Sequence, residues 1–384
     1  MAGTRVCCSC TGSEALKKWL RAVGEVQQCS FCSAEAQPTV DAEQFVQRVD
    51  ATLRKHFVRE PLQQEGEDPA KVISRLAGVS DQLATFAVAA GRLCDPGNRP
   101  SFYDYALGTR FYSVAEHRTD WRTLTDIVKH EARFFGANTR SLLDRLLGDV
   151  VGLCGGVAVR TLTSEDVIFR ARLERSAGEA YRFFENPYAE PSAPPRDLAT
   201  AGRMNAAGVR VFYGALRQDI AVAEVRPPIG SQVVTASFRP ARDLRILDPG
   251  SLPSVEQYDF FSTDFHEVSG KLLFLEIPEH EISRPVQPHD EVLDYIPTQV
   301  VAEYLVHVVG LDGIAYRSAQ IDRARRDNND RNVALFGSAA VSESAGQAPS
   351  AAGLRFVAES QQMLDVTMVQ VTFANARDED PWGD

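Results

Sequence analysis

The sequence predicts an α+β protein in which a cysteine-rich segment and a helical region precede a mixed domain of strands and helices. Two observations support this prediction. Apolar residues recur at helical spacing through much of residues 37–150, which is typical of helices packed in a layer. After Gly156, short β-rich runs alternate with loops and a few helices, without the regular order of a βαβ protein.

Length and composition limit the class of protein. The chain has 384 residues, of which 44% are hydrophobic and 24% are charged, so we expect two or three folded domains. This balance excludes a mostly disordered, collagen-like or small disulfide-stapled protein. The net charge of −11 disfavours a general role in coating nucleic acid.

The sequence gives no sign of membrane insertion or secretion. No apolar run approaches the ~18 residues that span a bilayer. The first residues lack the apolar stretch of a secretory signal. We therefore expect a cytoplasmic protein without membrane contact, and in that reducing compartment metal binding explains clustered cysteines better than a disulfide framework does.

Four cysteines near the start of the chain have the spacing of a metal site. Cys7-x-x-Cys10 and Cys29-x-x-Cys32 each present two thiolates from one turn, and two such turns complete the tetrahedral shell of a zinc ion. The sequence thus predicts a structural zinc knuckle over residues 1–36, which uses metal binding to fold. Cys8 is surplus to this set, and buried or redox-active cysteines without metal are the alternative.

The next region, residues 37–150, is predicted to be a helical domain. Apolar residues from Phe45 to Phe57 recur at four-residue spacing, behind Asp41 as a candidate N-cap. Further helices are predicted at 14–26, 70–76, 81–93, 122–135 and 139–150.

Residues 157–340 are predicted to form a mixed domain. Residues 341–384 are predicted to be a flexible connection followed by a last strand and a tail. The predicted helices of this part are 219–225 and 298–309. The predicted strands are 167–172, 209–215, 232–238, 244–247, 271–277, 313–316, 332–336 and 365–373.

One stretch of the mixed domain is dense in polar residues. From Gly202 to Arg226 the sequence predicts a loop, a strand that carries Tyr213 near its end, and a helix that bears Glu224 on a partly apolar face. A buried carboxylate needs a partner, and Arg203 and Arg226 are the candidates. The sequence contains no phosphate-binding loop, dinucleotide fingerprint, zinc-protease motif or nucleophile elbow.

The order of these motifs resembles the RES-domain family, the toxin half of many bacterial toxin–antitoxin pairs. The resemblance covers about residues 157–340, and the cysteine-bearing helical region resembles the N-terminal domain of some family members. Phe169 departs from the tyrosine expected ahead of the first arginine. The matching motifs are Phe169-Arg-Ala-Arg172, Gly202-Arg-Met-Asn205, Tyr213, Glu224, Gly313-Ile-Ala-Tyr-Arg-Ser318 and Asn332-Val-Ala-Leu-Phe336.

The resemblance implies a fold similar to that of ADP-ribosyltransferases and an enzyme that degrades NAD⁺. Such an enzyme cleaves the nicotinamide–ribose bond by hydrolysis or phosphorolysis, so NAD⁺ is its substrate rather than its cofactor. It would act as a toxin, with an antitoxin or inhibitor protein as partner. A homo-oligomer stays open, and nucleic acid is not an expected partner.

The resemblance also implies roles for individual residues. Glu224 would stabilise the ribosyl cation, Tyr213 would pack its ring against ribose or nicotinamide, and Ser318 would position ribose, phosphate or the incoming nucleophile. Arg170 and Arg203 would bind the pyrophosphate through planar, paired donors.

Taken one at a time, these residues have ordinary explanations. Arg170 fits a surface strand, Tyr213 a core edge, Ser318 a strand end and Glu224 a solvated helix. It is their ordered combination that favours a site. Arg172 would take the role of Arg170 if the strand register slipped by two residues, which preserves the face.

Three other functions stay open. An ADP-ribosyltransferase would use the same chemistry on a protein or nucleic acid. Arg110 and His117 loosely match the spacing found in some helical ribonuclease domains. The zinc knuckle, with Lys17, Lys18 and Arg21 between its cysteine pairs, would alternatively be a binding module without catalysis.

Overall fold

The computed structural model describes residues 3–56, 58–59, 69–90, 105–106, 109–133, 136, 138–174, 182–186, 192–253, 255–283, 291–318, 320, 329–343 and 352–368. The chain divides into two units. The first comprises Met1–Asp126 and Leu252–Ile277, and the second comprises Ile127–Ser251 and Pro278–Asp384. A segment from the middle of the chain therefore belongs with the N-terminal residues.

Both units combine helices and strands. Helices α1 to α10 span Glu14–Val23, Ala42–His56, Pro69–Ala77, Asp81–Ala90, Thr109–Asp126, Thr139–Leu147, Gln218–Glu224, Phe265–Ser283, Glu291–Asp294 and Ile296–Tyr304. Strands β1 to β14 span Arg5–Cys7, Glu25–Gln27, Gln37–Asp41, Val58–Arg59, Tyr105–Ala106, Val159–Leu162, Ile168–Leu173, Val211–Ala215, Gln232–Pro240, Leu244–Leu247, Gly313–Arg317, Arg331–Phe336, Leu354–Phe356 and Gln362–Asp365. Among the helices that the structure describes, none has the length and apolar character to cross a membrane.

The first unit contains a three-stranded antiparallel sheet in the order β1–β3–β2. Helix α1 packs against β3 and buries Leu16 and Leu20. Ser13 caps the helix, because its hydroxyl oxygen accepts a hydrogen bond from the Leu16 N–H at 3.1 Å. The sheet and α1 thus hold together the two turns that carry the cysteine pairs.

The segment Leu252–Ile277 completes the core of the first unit. Phe260, Phe261 and Phe265 are buried in the same apolar cluster as Phe45 of α2. Burying such large aromatic side chains contributes strongly to a core. The first unit is therefore built from two stretches of chain that lie far apart in the sequence.

Asp259, in that same segment, binds the start of α1. Its carboxylate accepts hydrogen bonds from the Ser13 hydroxyl and from the Ala15 N–H, each at 2.8 Å. A negative charge at a helix N-terminus is favourable, since the first backbone N–H groups point toward it. Asp259 thus anchors the inserted segment to the N-terminal residues.

The second unit is built on a nine-stranded sheet. Its strand order is β13–β9–β7–β8–β12–β11–β10–β6, and β14 also pairs with β9. Strands β10 and β11 run parallel, whereas the other pairs described in this sheet are antiparallel. The motifs that carry polar residues lie on β7, β8, β11 and β12, in the middle of this order.

The sheet has two different faces. On one, which we call the aromatic face, Ile168, Phe212 and Phe238 belong to one buried cluster. On the other, the helix-covered face, Ala171 and Ala215 pack against α7. Because α7 ends at Glu224, the helix brings that carboxylate to the helix-covered face.

One predicted strand is wrong. Residues 271–277 lie inside α8 rather than in a strand. The run is almost continuously apolar, and such a short run does not distinguish a strand from a buried helix. Leu272, Phe274 and Leu275 are all buried in the helix, which explains the continuous pattern.

Other boundaries shift by a few residues. The predicted helix 14–26 ends at Val23, since the backbone becomes extended at Gly24, and β2 follows. Asp41 is confirmed as a cap, since its carboxylate accepts a hydrogen bond from the Glu43 N–H at 2.8 Å. The predicted strand 365–373 overlaps β14 only at Asp365, and residues 369–373 lie outside the described residues, as does the end of the tail.

Candidate functional site

Strand pairing places three polar side chains on the helix-covered face. Asn332 of β12 lies directly opposite Ala215 of β8 and Tyr316 of β11, and Tyr213 lies opposite Ala334. Directly paired residues in antiparallel strands share a face. Tyr213, Tyr316 and Asn332 therefore project on the same side as Ala215, toward α7.

Asn332 holds the Glu224 carboxylate. Its Nδ2 donates a hydrogen bond of 2.8 Å to Glu224 Oε2, across 108 residues of sequence. Glu224 is half-buried, whereas Asn332 is only 1% exposed. The sequence predicts Arg203 or Arg226 as the partner of Glu224. The hydrogen bond described for this carboxylate comes from an amide, Asn332, which is the first residue of the motif Asn332-Val-Ala-Leu-Phe336.

Tyr213 is fixed by the loop that precedes its strand. Its hydroxyl donates to Asn205 Oδ1 at 2.8 Å and accepts a hydrogen bond from the Met204 N–H at 3.1 Å. Burial raises the pKa of Tyr213, so the phenol stays protonated and can donate at neutral pH. A Cβ on Gly202 would lie 2.9 Å from the Tyr213 hydroxyl, which explains why this position is glycine.

Helix α10 also binds this loop, through hydrogen bonds to the backbone of residues 202–205. The Thr298 hydroxyl donates to the Arg203 carbonyl oxygen at 2.5 Å. Gln299 Nε2 donates to the carbonyl oxygens of Gly202 and Asn205 at 2.8 and 2.9 Å. The backbone around Arg203 is therefore ordered, although nothing in the sequence motif pointed to α10.

Arg203 places a positive charge near Tyr213, which is partly buried, and Tyr316, which is buried. Its guanidinium lies 5.5 Å from the centre of the Tyr295 ring, a cation–π contact. Burial and then the Glu224 charge raise the pKa of Tyr316, while Arg203 opposes both. The charges of Arg203 and Glu224 thus both act on Tyr213 and on Tyr316, in opposite directions.

The structure does not bring Arg170 to this group. Arg170 pairs with Ala236, and its guanidinium lies 4.8 Å from the centre of the Phe212 ring on the aromatic face. Its Nη1 donates to the Tyr213 carbonyl oxygen at 3.2 Å. Desolvation, together with the nearby Arg172 charge, lowers the pKa of Arg170 to about 9.

A register slip by two residues does not change this result. Arg172 lies on the same face as Arg170, and its Nη2 donates to the Ser192 carbonyl oxygen at 3.2 Å. Phe169, by contrast, pairs with Ala215 and so lies on the helix-covered face.

Ser318 follows directly after β11 and is buried. The hydrogen bond described for it is local, with its hydroxyl accepting from the Gln320 N–H at 3.2 Å. Ser318 lies two residues beyond Tyr316, so strand alternation would carry it to the same side. No side-chain contact between Ser318 and the Glu224 group is found among the described residues.

The residues of the alternative ribonuclease site lie in the first unit. The His117 ring packs against Phe274, with 5.8 Å between ring centres. The Arg110 side chain lies outside the described residues.

The four cysteines meet at one point of the first unit. The Cys7 and Cys32 sulfurs are 3.4 Å apart, the Cys10 and Cys29 sulfurs 3.5 Å, and all four lie within 4.8 Å of one another. A tetrahedral zinc site with Zn–S bonds of about 2.3 Å separates its sulfurs by about 3.8 Å, so these residues fit such an ion.

The environments of the cysteines differ. Burial raises the pKa of Cys7 to about 11. Burial acts in the same direction on Cys29, but the backbone N–H groups of Cys32 and Phe31 outweigh it and lower that pKa to about 7. Cys8 does not join the cluster, and its thiol donates instead to Gln37 Oε1 at 3.2 Å.

Comparison with known proteins identifies the second part of the chain. Residues 172–357 match the family model of the RES domain, so this part of the chain is similar to that family. The matched range begins at Arg172, beyond Arg170, and continues past the predicted boundary at residue 340. It also spans the segment Leu252–Ile277, which the structure places in the first unit.

One solved structure is similar to the chain, and no curated protein matches it. The structure is described as that of the M. tuberculosis MbcT–MbcA toxin–antitoxin complex. The similarity has 15% sequence identity and a TM-score of 0.25, and it covers 54% of this chain and 87% of that chain.

Proposed function

We propose that this chain is an NAD⁺-degrading enzyme that cleaves the nicotinamide–ribose bond. The observation that supports it best is the Glu224 carboxylate, held by Asn332 on the same face as Tyr213 and near Arg203, within a RES domain. A fixed negative charge beside a bound sugar is what cleavage of this bond requires.

The chemistry needs a carboxylate and no acid. The C1′–N bond breaks and its electron pair moves to the nicotinamide nitrogen, so nicotinamide leaves as a neutral molecule. The ribose is left with positive charge at C1′, as in glycoside hydrolysis. Glu224 stabilises that charge. An oxygen lone pair of water or phosphate then forms the new C1′–O bond, and a water nucleophile releases one proton to the solvent.

The other residues bind and orient NAD⁺. Arg203 pairs with the pyrophosphate, which planar guanidinium donors match well. Tyr213 packs its ring against ribose or nicotinamide, and Ser318 positions ribose or the incoming nucleophile. Arg170 lies on the opposite face of the sheet, so we propose Arg203 as the main pyrophosphate ligand and Arg170 as a second ligand to be tested.

The N-terminal site has a structural role in this proposal. Cys7, Cys10, Cys29 and Cys32 would hold zinc, which links the β1 end to the turn after β2. We further propose that the enzyme acts on NAD⁺ in the cytoplasm as a toxin and that an antitoxin or inhibitor protein controls it.

Product analysis tests the proposal. Purified protein is incubated with NAD⁺, with and without inorganic phosphate, and its products are separated. Free nicotinamide with ADP-ribose indicates hydrolysis, and a phosphorylated ADP-ribose that forms only with phosphate indicates phosphorolysis. Nicotinamide release that requires added protein or nucleic acid, with label on that macromolecule, would support the ADP-ribosyltransferase instead. No nicotinamide release under any condition would contradict the proposal.

A further inference from the structure

Asn332 has a buried atom that calls for an explanation. Because the Glu224 carboxylate can only accept hydrogen bonds, Asn332 must turn its Nδ2 toward it. This orientation leaves Oδ1 buried, with no hydrogen-bond partner among the described residues. A buried polar atom without a partner destabilises a fold, and most buried polar atoms in proteins avoid this state.

The neighbours of Asn332 show what packing alone would select. Val333, Ala334 and Leu335 follow it on β12, and all are buried apolar residues. An apolar side chain at position 332 would fill the same space without an unpaired oxygen. The Asn332 amide therefore has a role that offsets the free-energy cost of its unpaired oxygen, and the hydrogen bond to Glu224 is the contact that indicates this role.

The Glu224 carboxylate lies where its orientation is otherwise weakly fixed. Glu224 is the last residue of α7 and half-buried, so its side chain has freedom to rotate. A carboxylate that stabilises a developing cation must already point at it, since reorientation during the reaction costs rate.

We infer that Asn332 is the positioning residue that keeps the Glu224 carboxylate in one orientation toward the substrate. This inference rests on the proposed function. Asn332 acts through Glu224 rather than on NAD⁺ itself. Its loss should therefore lower kcat much more than it raises KM, because binding of the remote parts of NAD⁺ is unaffected.

Asn332→Leu separates this role from a structural one. The substitution is close to isosteric, and it removes both the donor to Glu224 and the unpaired oxygen. We expect the melting temperature to stay the same or rise, since Glu224 is half-exposed and can bind water. We expect kcat for nicotinamide release to fall about tenfold to a hundredfold, with KM within about threefold of the wild type.

Thr235→Val is the matched control. Thr235 is also buried in this sheet and also bonds α7, accepting from Gln218 Nε2 at 2.9 Å. Removing its hydroxyl should lower the melting temperature and leave kcat per folded molecule unchanged. If Asn332→Leu behaves like Thr235→Val, Asn332 is merely structural and the inference is overturned.

A second variant covers the case in which Asn332→Leu fails to fold. Asn332→Asp places two acceptors together, and combining it with Glu224→Gln restores one donor and one acceptor between the same two positions. We expect the double variant to regain the stability that Asn332→Asp loses but to stay inactive, because the charge is displaced. Recovered turnover in the double variant would overturn the inference.

A wild type that never cleaves NAD⁺ would overturn the proposed function together with the inference. An active wild type with unimpaired Asn332 variants would overturn the inference alone.

Discussion

The Tyr213 hydroxyl donates a 2.8 Å hydrogen bond to Asn205 Oδ1, which joins the centre of the sheet to the loop that carries Arg203. Asn205 is buried, and its Nδ2 in turn donates to the carbonyl oxygens of Thr200, Ala206 and Val209. The loop that presents Arg203 is therefore held by a buried polar network rather than by regular secondary structure.

Tyr213→Phe should loosen that loop. The variant keeps the aromatic ring but leaves Asn205 Oδ1 without its donor, so we expect a loss of about 1–3 kcal/mol in the free energy of unfolding. KM for NAD⁺ should rise, since Arg203 loses its fixed position. Urea unfolding and nicotinamide release measure the two effects. Tyr258→Phe is the control. It also removes a tyrosine hydroxyl, but that hydroxyl donates a 2.9 Å hydrogen bond to Asp264 in the first unit rather than to Asn205. An unchanged stability of Tyr213→Phe would show that the network contributes little.

Arg203→Ala and Arg170→Leu should have different effects, because Arg170 lies on the aromatic face of the sheet, whereas Arg203 lies in a loop beside Tyr295 and its charge acts on Tyr213 and Tyr316. Arg203→Ala should raise KM for NAD⁺ about tenfold or more, since it removes a charge-assisted contact to the pyrophosphate. Arg170→Leu should leave KM within about threefold of the wild type, because the side chain packs against Phe212 rather than facing Glu224. Steady-state kinetics on both variants measure the two KM values for NAD⁺. A KM that rises equally for both would mean that Arg170 also reaches NAD⁺.

The sequence alone did not predict this separation of the arginines. Alternation along β7 shows that Arg170 and Arg172 share a face, but not which face. That depends on the pairing of Phe169 with Ala215, a long-range contact. The alternation of residues along one strand shows which side chains share a face, but it does not show which strands pair with it.

Two long-range contacts were also not predictable from local sequence patterns. The motifs correctly gave the helix that bears Glu224 and the strand that bears Tyr213. The bond from Asn332 to Glu224, and the insertion of Leu252–Ile277 into the first unit, each join residues far apart in the chain. Periodicity and spacing carry no information about such contacts.

Metal binding should depend on the four clustered cysteines and on no others. We expect one zinc per chain by elemental analysis, with loss of the metal in Cys29→Ser or Cys32→Ser, because three thiolates leave a structural site incomplete. The first unit should then unfold more readily. Cys154→Ser, in the second unit, is the control and should retain zinc. A metal-free protein whose first unit is fully folded would contradict the zinc assignment.

Asp259 should stabilise the first unit. Asp259→Ala removes the acceptor for the Ser13 hydroxyl and the Ala15 N–H, and with it the negative charge at the start of α1. We expect a loss of about 1–2 kcal/mol, similar to that of a helix cap together with a dipole contact. Hydrogen exchange of the α1 amides should accelerate. Asp264→Ala changes a carboxylate in the same segment that accepts hydrogen bonds from Tyr258 and Ser262 rather than from α1, and should not produce this effect. Unchanged α1 exchange in Asp259→Ala would show that the insertion is not anchored there.

The most direct test of the account is nicotinamide release by purified wild type and Glu224→Gln. Glutamine keeps the volume of the side chain and still accepts the hydrogen bond from Asn332, but it carries no charge. We expect that wild type releases nicotinamide from NAD⁺, and that the folded variant binds NAD⁺ with similar affinity and turns over about 10²–10³ times more slowly. A folded Glu224→Gln protein with wild-type turnover would contradict the assignment of Glu224, and a wild type that releases no nicotinamide would contradict the enzymatic account itself.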